Sequence, residues 1–431
     1  MTSIFNPFGK PFKDVEEIDL NTLNTVAEGW YVEYKREKQK GKKIAKSISS
    51  FANSYGGIYF VGIEHDDKTN CAKNILGVDD SPDIIRDSVS GNLQPFPYFE
   101  TFSIPLAIGK KVIMVVISEG GNPPYIHSDG RIYRRQEAAS EPIHESNRHT
   151  VDMLYTKAEK YMKKLEEFRK IDYNFCMGES NPHLEIFINT KPFNHFTVPD
   201  LFNNAKFSEI LSKFSEKYTI KEKIGDSEVS IGGNIPFDTL NTYPNSIAIR
   251  QRIGNDITYN GLTVELDIYG NTKILIPLIN AKLDDYNKFD ENYMNVTKKY
   301  HPDSFYSLTF LDPINIFGGI MGILNRYSNF LLSYGYEDSI EIKVRLINCY
   351  GSTLYFYSKR FIEHIEKCGL PVCMKEEQYF PEVPIEIKNE DLKTKPFMSP
   401  LTVFSIVSMA LGTPSNIALS SIFEHFKIMK P

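Results

Sequence analysis

The chain has 431 residues, enough for roughly two to three domains with separate cores, and its 41% hydrophobic and 24% charged content is that of an ordinary globular protein. A net charge of −6 excludes coating of nucleic acid by bulk electrostatics, so contact with a polyanion has to come from a local patch. Five cysteines without a CxxC pair weigh against zinc or a disulfide framework, and neither a signal-like leader nor an apolar run of the ~20 residues a membrane helix needs is present, so the cytoplasm is the expected location.

Residues 1–27 carry Pro7 and Pro11 and then a mixed acidic segment, Asp14 to Asp19, a candidate short helix. Trp30 to Tyr34 are mostly β-branched or aromatic and predict a strand. Alternation puts Tyr31, Glu33 and Lys35 on one face and Trp30, Val32 and Tyr34 on the other. Glu28 lies on the opposite parity from Glu33, but Gly29 can bend the chain and let the two carboxylates converge.

Ile44, Ile48, Phe51, Ala52 and Tyr55 recur at helical spacing and predict a helix from about Lys42 to Tyr55, ended by Gly56-Gly57 as a C-terminal cap. Ile58 to Ile63 is a continuous apolar run, the pattern of a strand buried on both faces, and it delivers Glu64-His65-Asp66-Asp67 at its end. Lys35, Arg36, Lys38, Lys40, Lys42, Lys43 and Lys46 form a dense basic run opposed only by Glu37. Such a run suits either a phosphate backbone or a solvated helix face.

A helix follows at Pro82 to Arg86 with Ser81 as its N-cap, then strands at Phe99 to Leu106 and Lys111 to Ile117. A hairpin around Ser128-Asp129-Gly130 leads into Ile132-Tyr133-Arg134-Arg135, where the two arginines point to opposite faces. Val151 to about Lys170 is rich in helix formers at helical intervals. It reads either as a connecting helix or as the closing helix of the first domain.

Beyond residue 172 the pattern changes to short strands with aromatic and turn residues. Candidates are Leu184 to Ile188, Val229 to Ile231, Ser246 to Arg252, Leu262 to Ile268, Lys273 to Ile276, Ile340 to Ile347 and Thr353 to Tyr357. Cys349 to Ser352 would join the last two as a hairpin. Helices are expected at Phe317 to Ser333, Leu401 to Leu411 and Ser415 to Phe426. The expected architecture is α+β throughout: a first domain over residues 1–150 with a mixed sheet and packed helices, a connecting helix over 151–171, and a second α+β domain over 172–431 that senses or recruits.

Glu28-x4-Glu33-x-Lys35, then Phe51-Ala52-Asn53-Ser54-x-Gly56-Gly57 and Val61-Gly62-Ile63-Glu64, resembles the Schlafen AlbA_2 domain over roughly residues 20–143. The second domain resembles no family. Vertebrate Schlafens cleave tRNA and rRNA at a metal site of two glutamates and an aspartate. The resemblance therefore implies Glu28 and Glu33 as Mg²⁺ or Mn²⁺ ligands, with Lys35 stabilising charge at phosphate. His65 stands where those members have the aspartate, which leaves Glu64, Asp66 or His65 as the third ligand, or an inactive site that only binds.

The catalytic set implied is Glu28, Glu33, Lys35 and Asp66, with Glu28, Glu33, Glu64 and Asp66 as metal ligands. Lys35, Arg36, Lys38, Lys42, Lys43, Lys46, Arg134 and Arg135 would contact the nucleic acid. The expected partner is RNA, tRNA-like, or DNA, and because the pattern occurs once where vertebrate Schlafens carry two lobes, a homodimer or higher homo-oligomer is implied. No GxxxxGK[ST] supports an ATP site, and no GxSxG a serine hydrolase. The readings in competition are a metal-dependent endoribonuclease, by analogy a bacterial defence effector, a non-catalytic DNA- or RNA-binding regulator, and an oligomerising scaffold.

Overall fold

The computed structural model describes residues 5–427 apart from 137–138, 170–181, 192, 194–195, 199–200, 216, 225, 234–236, 254–255, 279, 282–294 and 296–306. The chain divides into two compact units, Met1–Lys170 and Ile171–Pro431.

In the first unit, strand β1 (Val32–Lys35) is followed by helix α1 (Gly41–Ala52) and strand β2 (Gly57–Val61). β1 and β2 pair in parallel, as a crossover through one helix permits. Then come β3 (Ile63–His65), β4 (Ala72–Ile75), α2 (Asp83–Ser90), β5 (Leu93–Gln94), β6 (Phe99–Pro105), β7 (Lys111–Ile117), β8 (Ile126–His127), β9 (Tyr133–Gln136), β10 (Ala139–His144) and α3 (Arg148–Phe168). The central sheet has the order β1-β2-β7-β6, with β7 antiparallel to both of its neighbours, so it is mixed as expected.

The sheet separates two cores. Ile44, Ile48 and Phe51 of α1 pack with Tyr59, Val61, Ile113 and Val115 on one face, and Val32, Tyr34, Ile58 and Phe60 form the other with Leu20 and Leu23. The strand expected at residues 30–34 begins two residues later, so Trp30 and Tyr31 lie on the approach to β1 and not within it. The apolar run Ile58 to Ile63 is also not one strand. Gly62 has φ +101° and its backbone lies against Gly77, where a Cβ would come within 2.9 Å of the Gly77 Cα. The Gly62 carbonyl instead accepts from the amides of Leu76 and Gly77, and the chain turns into the separate β3–β4 ribbon.

The second unit is built on a seven-stranded antiparallel sheet in the order Thr239–Thr242, Ser246–Ile253, Asp256–Asp267, Thr272–Pro277, His183–Thr190, Ser339–Ile347 and Glu377–Lys388. Leu184, Ile186 and Ile188 join Ile274, Ile342 and Val344 in a core shared with the helix Pro313–Ser333. Asp312 caps that helix by accepting from the Ile314 and Asn315 amides. The expected hairpin at Cys349 to Ser352 does not form. The preceding strand stays in the large sheet, while Ser352–Leu354 pairs in parallel with Thr309–Leu311 in another. Among the described residues no helix is long and apolar enough to cross a membrane.

Candidate nucleic-acid interface

Glu33 and Lys35 share the α1-facing side of β1, as alternation requires, and their charged groups meet at 3.0 Å. The Glu33 carboxylate is buried and fully engaged. One oxygen accepts from the Ser47 hydroxyl at 2.9 Å and faces Lys35; the other accepts from the Arg135 guanidinium at 2.9 Å. Arg135 is itself buried, donates from Nε to the Gly29 carbonyl at 2.7 Å, and lies 4.7 Å from the centre of the Phe51 ring. Burial disfavours the charge on Lys35, but Glu33, together with Glu28 and Glu141, outweighs it and holds the ammonium above its ordinary range.

Glu28 sits at the outer edge of β1, where its Oε1 accepts from the Tyr34 amide. Its other oxygen is 3.8 Å from His65 Nδ1. Burial raises the Glu28 carboxyl above the usual range, against the pull of the Tyr34 amide and of Lys35. Glu64 is drawn below its usual range by the Asn74 amide, assisted by Arg36 at 3.1 Å. Asp66 is lowered in the same way by the Lys68 and Thr69 amides of its own turn, and Lys73 approaches at 3.3 Å.

The expected metal ligands are not brought together by this geometry. Among the described residues no three His, Cys, Asp or Glu side chains are placed to hold an ion. Glu33 is saturated by two cations and a hydroxyl, Glu64 and Asp66 are committed within the β3–β4 ribbon, and Glu28 keeps an oxygen for which no hydrogen bond is seen among the described residues. A resident divalent cation does not fit this donor set, because Arg135 and Lys35 already supply the positive charge it would bring.

The basic run divides in two. Arg36 pairs with Glu64, Lys38 with Asp80 at 3.6 Å, and Lys46 with Glu141 at 3.7 Å while lying over the Tyr133 ring. Lys40, Lys42 and Lys43, at the start of α1, are exposed and make no ion pair among the described residues. Arg134 pairs with Glu145 at 3.3 Å and Arg135 is buried, so neither belongs to the exposed basic surface that was expected to include them. An open cleft of about 590 Å³ beside Arg36 is lined by Glu37, Asp79 and Asp80 as well as Lys110, and its acidic excess ends the basic surface on that side.

Several residues that build this surface were not among the expected site residues. His127 is buried, with Nε2 3.1 Å from the Lys42 carbonyl and Nδ1 2.9 Å from Asp129, which fixes the first turn of α1 to the β8–β9 hairpin. At the other end of α1, Asn53 accepts from the Tyr125 amide and donates to the Tyr125 and Tyr133 carbonyls, and Ser54 accepts from the Arg135 amide. The Asn-Ser pair quoted for the family resemblance therefore has a structural role. It ties helix to hairpin and delivers Arg135 beneath Glu33.

A mixed sheet with one lysine-tipped helix on its face defines the first unit as a small α+β domain with a surface suited to polyanions. Residues 28–144 match the family model Schlafen, AlbA_2, so this unit carries a Schlafen AlbA_2 domain, which suggests a nucleic-acid-related protein. No family is matched in the C-terminal part. No curated protein matches the chain. Among solved structures, the DIP2311 protein from Corynebacterium diphtheriae is similar at 13% identity over 43% of this chain and 33% of that one, with a TM-score of 0.22, a likeness too low to inform the fold.

Proposed function

We propose that the Schlafen AlbA_2 unit is a nucleic-acid-binding module that holds the phosphate backbone on Lys40, Lys42 and Lys43, with no metal resident at Glu33. The observation that carries this reading is the saturation of Glu33 by Arg135, Lys35 and Ser47, set beside exposed lysines that make no ion pair among the described residues. Basic and acidic residues balance within Met1–Lys170, so attraction for a polyanion rests on where the lysines lie and not on net charge.

The test is binding of the full chain to a tRNA, a single-stranded RNA and a DNA duplex across a salt series, with Mg²⁺ or Mn²⁺ added in parallel. Changing Lys42 and Lys43 to Ala should weaken binding and lower the log–log salt slope by about 0.7–0.9 per lost phosphate contact. An unchanged slope removes the lysine assignment. Cation-dependent strand cleavage by the wild type that Glu33→Gln abolishes without lowering thermal stability replaces this reading with the nuclease one.

A further inference from the structure

Four aromatic rings meet at the end of the β1–α1 unit remote from the lysines. Tyr31 and Tyr55 leave 39% and 51% of their surface in solvent. Their ring centres are 6.5 Å apart at 46°, Tyr55 stands 5.4 Å from Trp30 at 60°, and Phe5 stacks on Tyr31 at 5.2 Å. The position is fixed by backbone: Trp30 and Tyr31 precede β1, Tyr55 follows α1, and the Tyr31 carbonyl accepts from the Ile58 amide at 2.7 Å.

Exposed aromatic residues scattered singly need no explanation, but a contiguous patch that includes the only tryptophan of the chain marks a contact surface. Phe5 covers one face of Tyr31, but Tyr31 and Tyr55 remain partly in solvent and Trp30 is only half-buried, so ring surface stays open to a flat partner.

The nature of that partner follows from the helix the patch shares. α1 begins at the uncompensated Lys42 and Lys43 and, twelve residues and roughly 18 Å long, ends at the turn that carries Tyr55. The body of α1 is itself buried, so a polyanion seated on the lysines reaches the rings by spanning that distance over the surface of the unit, which brings its bases to them. In a duplex both faces of each base are already stacked, so only an unpaired strand can offer one to an aromatic side chain. We infer that Trp30, Tyr31 and Tyr55 form a base-stacking platform for single-stranded nucleic acid whose phosphates are held by the α1 lysines. This rests on the binding function proposed above and narrows it to unpaired strands.

Trp30 makes the inference directly measurable, because its emission reports on this patch alone. Full-length protein is titrated with RNA and DNA single strands of about 12 nucleotides, within the site sizes usual for single-strand binders. Abasic strands of equal length and a duplex serve as controls. Both single strands, or RNA alone if the ribose is also read, should quench Trp30, while the abasic strand binds without quenching. Tyr55→Ala, at an exposed position, should lower affinity about tenfold, the usual scale for one lost base–aromatic stack, and leave the salt slope unchanged.

Lysine-dependent binding that leaves Trp30 emission unmoved, or is indifferent to Tyr55→Ala, overturns the platform and spares the binding function. Absence of any binding overturns both. If Trp30 emission varies with protein concentration without nucleic acid, and Tyr55→Ala lowers the mass measured by light scattering, the patch is a self-association face and the platform is again overturned.

Discussion

At Glu33 a carboxylate is buried with two cations and a hydroxyl around it, and this arrangement decides how its substitution should read. Removing one partner of a buried ion pair leaves the other charge uncompensated, at a cost of about 3–5 kcal/mol. Glu33→Gln is therefore expected to destabilise the first unit by that order in a urea titration. Arg135→Met should do the same, while the double substitution should cost less than the two singles together. A Glu33→Gln midpoint equal to wild type would show that the pair has no structural role and would return Glu33 to the list of free ligands. Glu28 is predicted to behave oppositely. Its carboxyl is raised by burial, so ionisation opposes folding; the stabilisation is present below the unfolded pKa and lost as pH rises through the folded value. Glu28→Gln keeps an oxygen for the Tyr34 amide and should be neutral or slightly stabilising at pH 7.

Elements whose pattern is local were legible in the sequence, and those set by contacts far along the chain were not. The apolar stripe of α1 and the unbroken apolar run from Val112 to Ile117 each mark an element because their pattern is complete within a few turns or residues. By contrast, the break at Gly62 depends on Gly77 lying against it. Glu377–Lys388 was missed because its charges and two prolines disguise a strand, though an edge position tolerates both. At the candidate site the same divide holds: Glu33 and Lys35 on one face followed from alternation, but the pairing of Glu33 with Arg135 spans 102 residues and no spacing rule reaches it. Asn53 is the element-scale test of this view. Its side chain satisfies three buried backbone groups of the hairpin, so Asn53→Ala should cost about 2–4 kcal/mol, more than a single lost hydrogen bond. It should also weaken nucleic-acid binding indirectly by loosening the hairpin against α1. Stability within about 0.5 kcal/mol of wild type would show that helix and hairpin hold together without it.

For the whole molecule, the two units carry shifted carboxyls of opposite consequence. In the first, desolvation works against ionisation of Asp129, yet hydrogen bonds from Tyr133 and His127 hold it at about 2; that contribution is present above the unfolded value near 3.9 and is lost as pH falls toward about 2. In the second, burial with Glu377 nearby pushes Glu185 up to about 8. Arg345 comes within 3.8 Å of Glu185 but is turned to Glu377 at 2.6 Å, and one Glu185 oxygen has no hydrogen-bond partner. Because the folded pKa of Glu185 is raised, its stabilisation is complete below the unfolded carboxyl pKa of about 4.3 and is lost as pH climbs through about 8. Asp129 should thus cost the first unit stability toward strong acid, and Glu185 the second toward mild alkali. Scanning calorimetry of the full chain from pH 5 to 9 should show the transition of the second unit falling with pH. Glu185→Gln should flatten that fall and, at pH 8.5, stabilise by on the order of 2 kcal/mol, a discounted share of the 1.36 kcal/mol carried by each pKa unit. An alkaline slope that persists unchanged in Glu185→Gln would place the destabilising ionisation on another group.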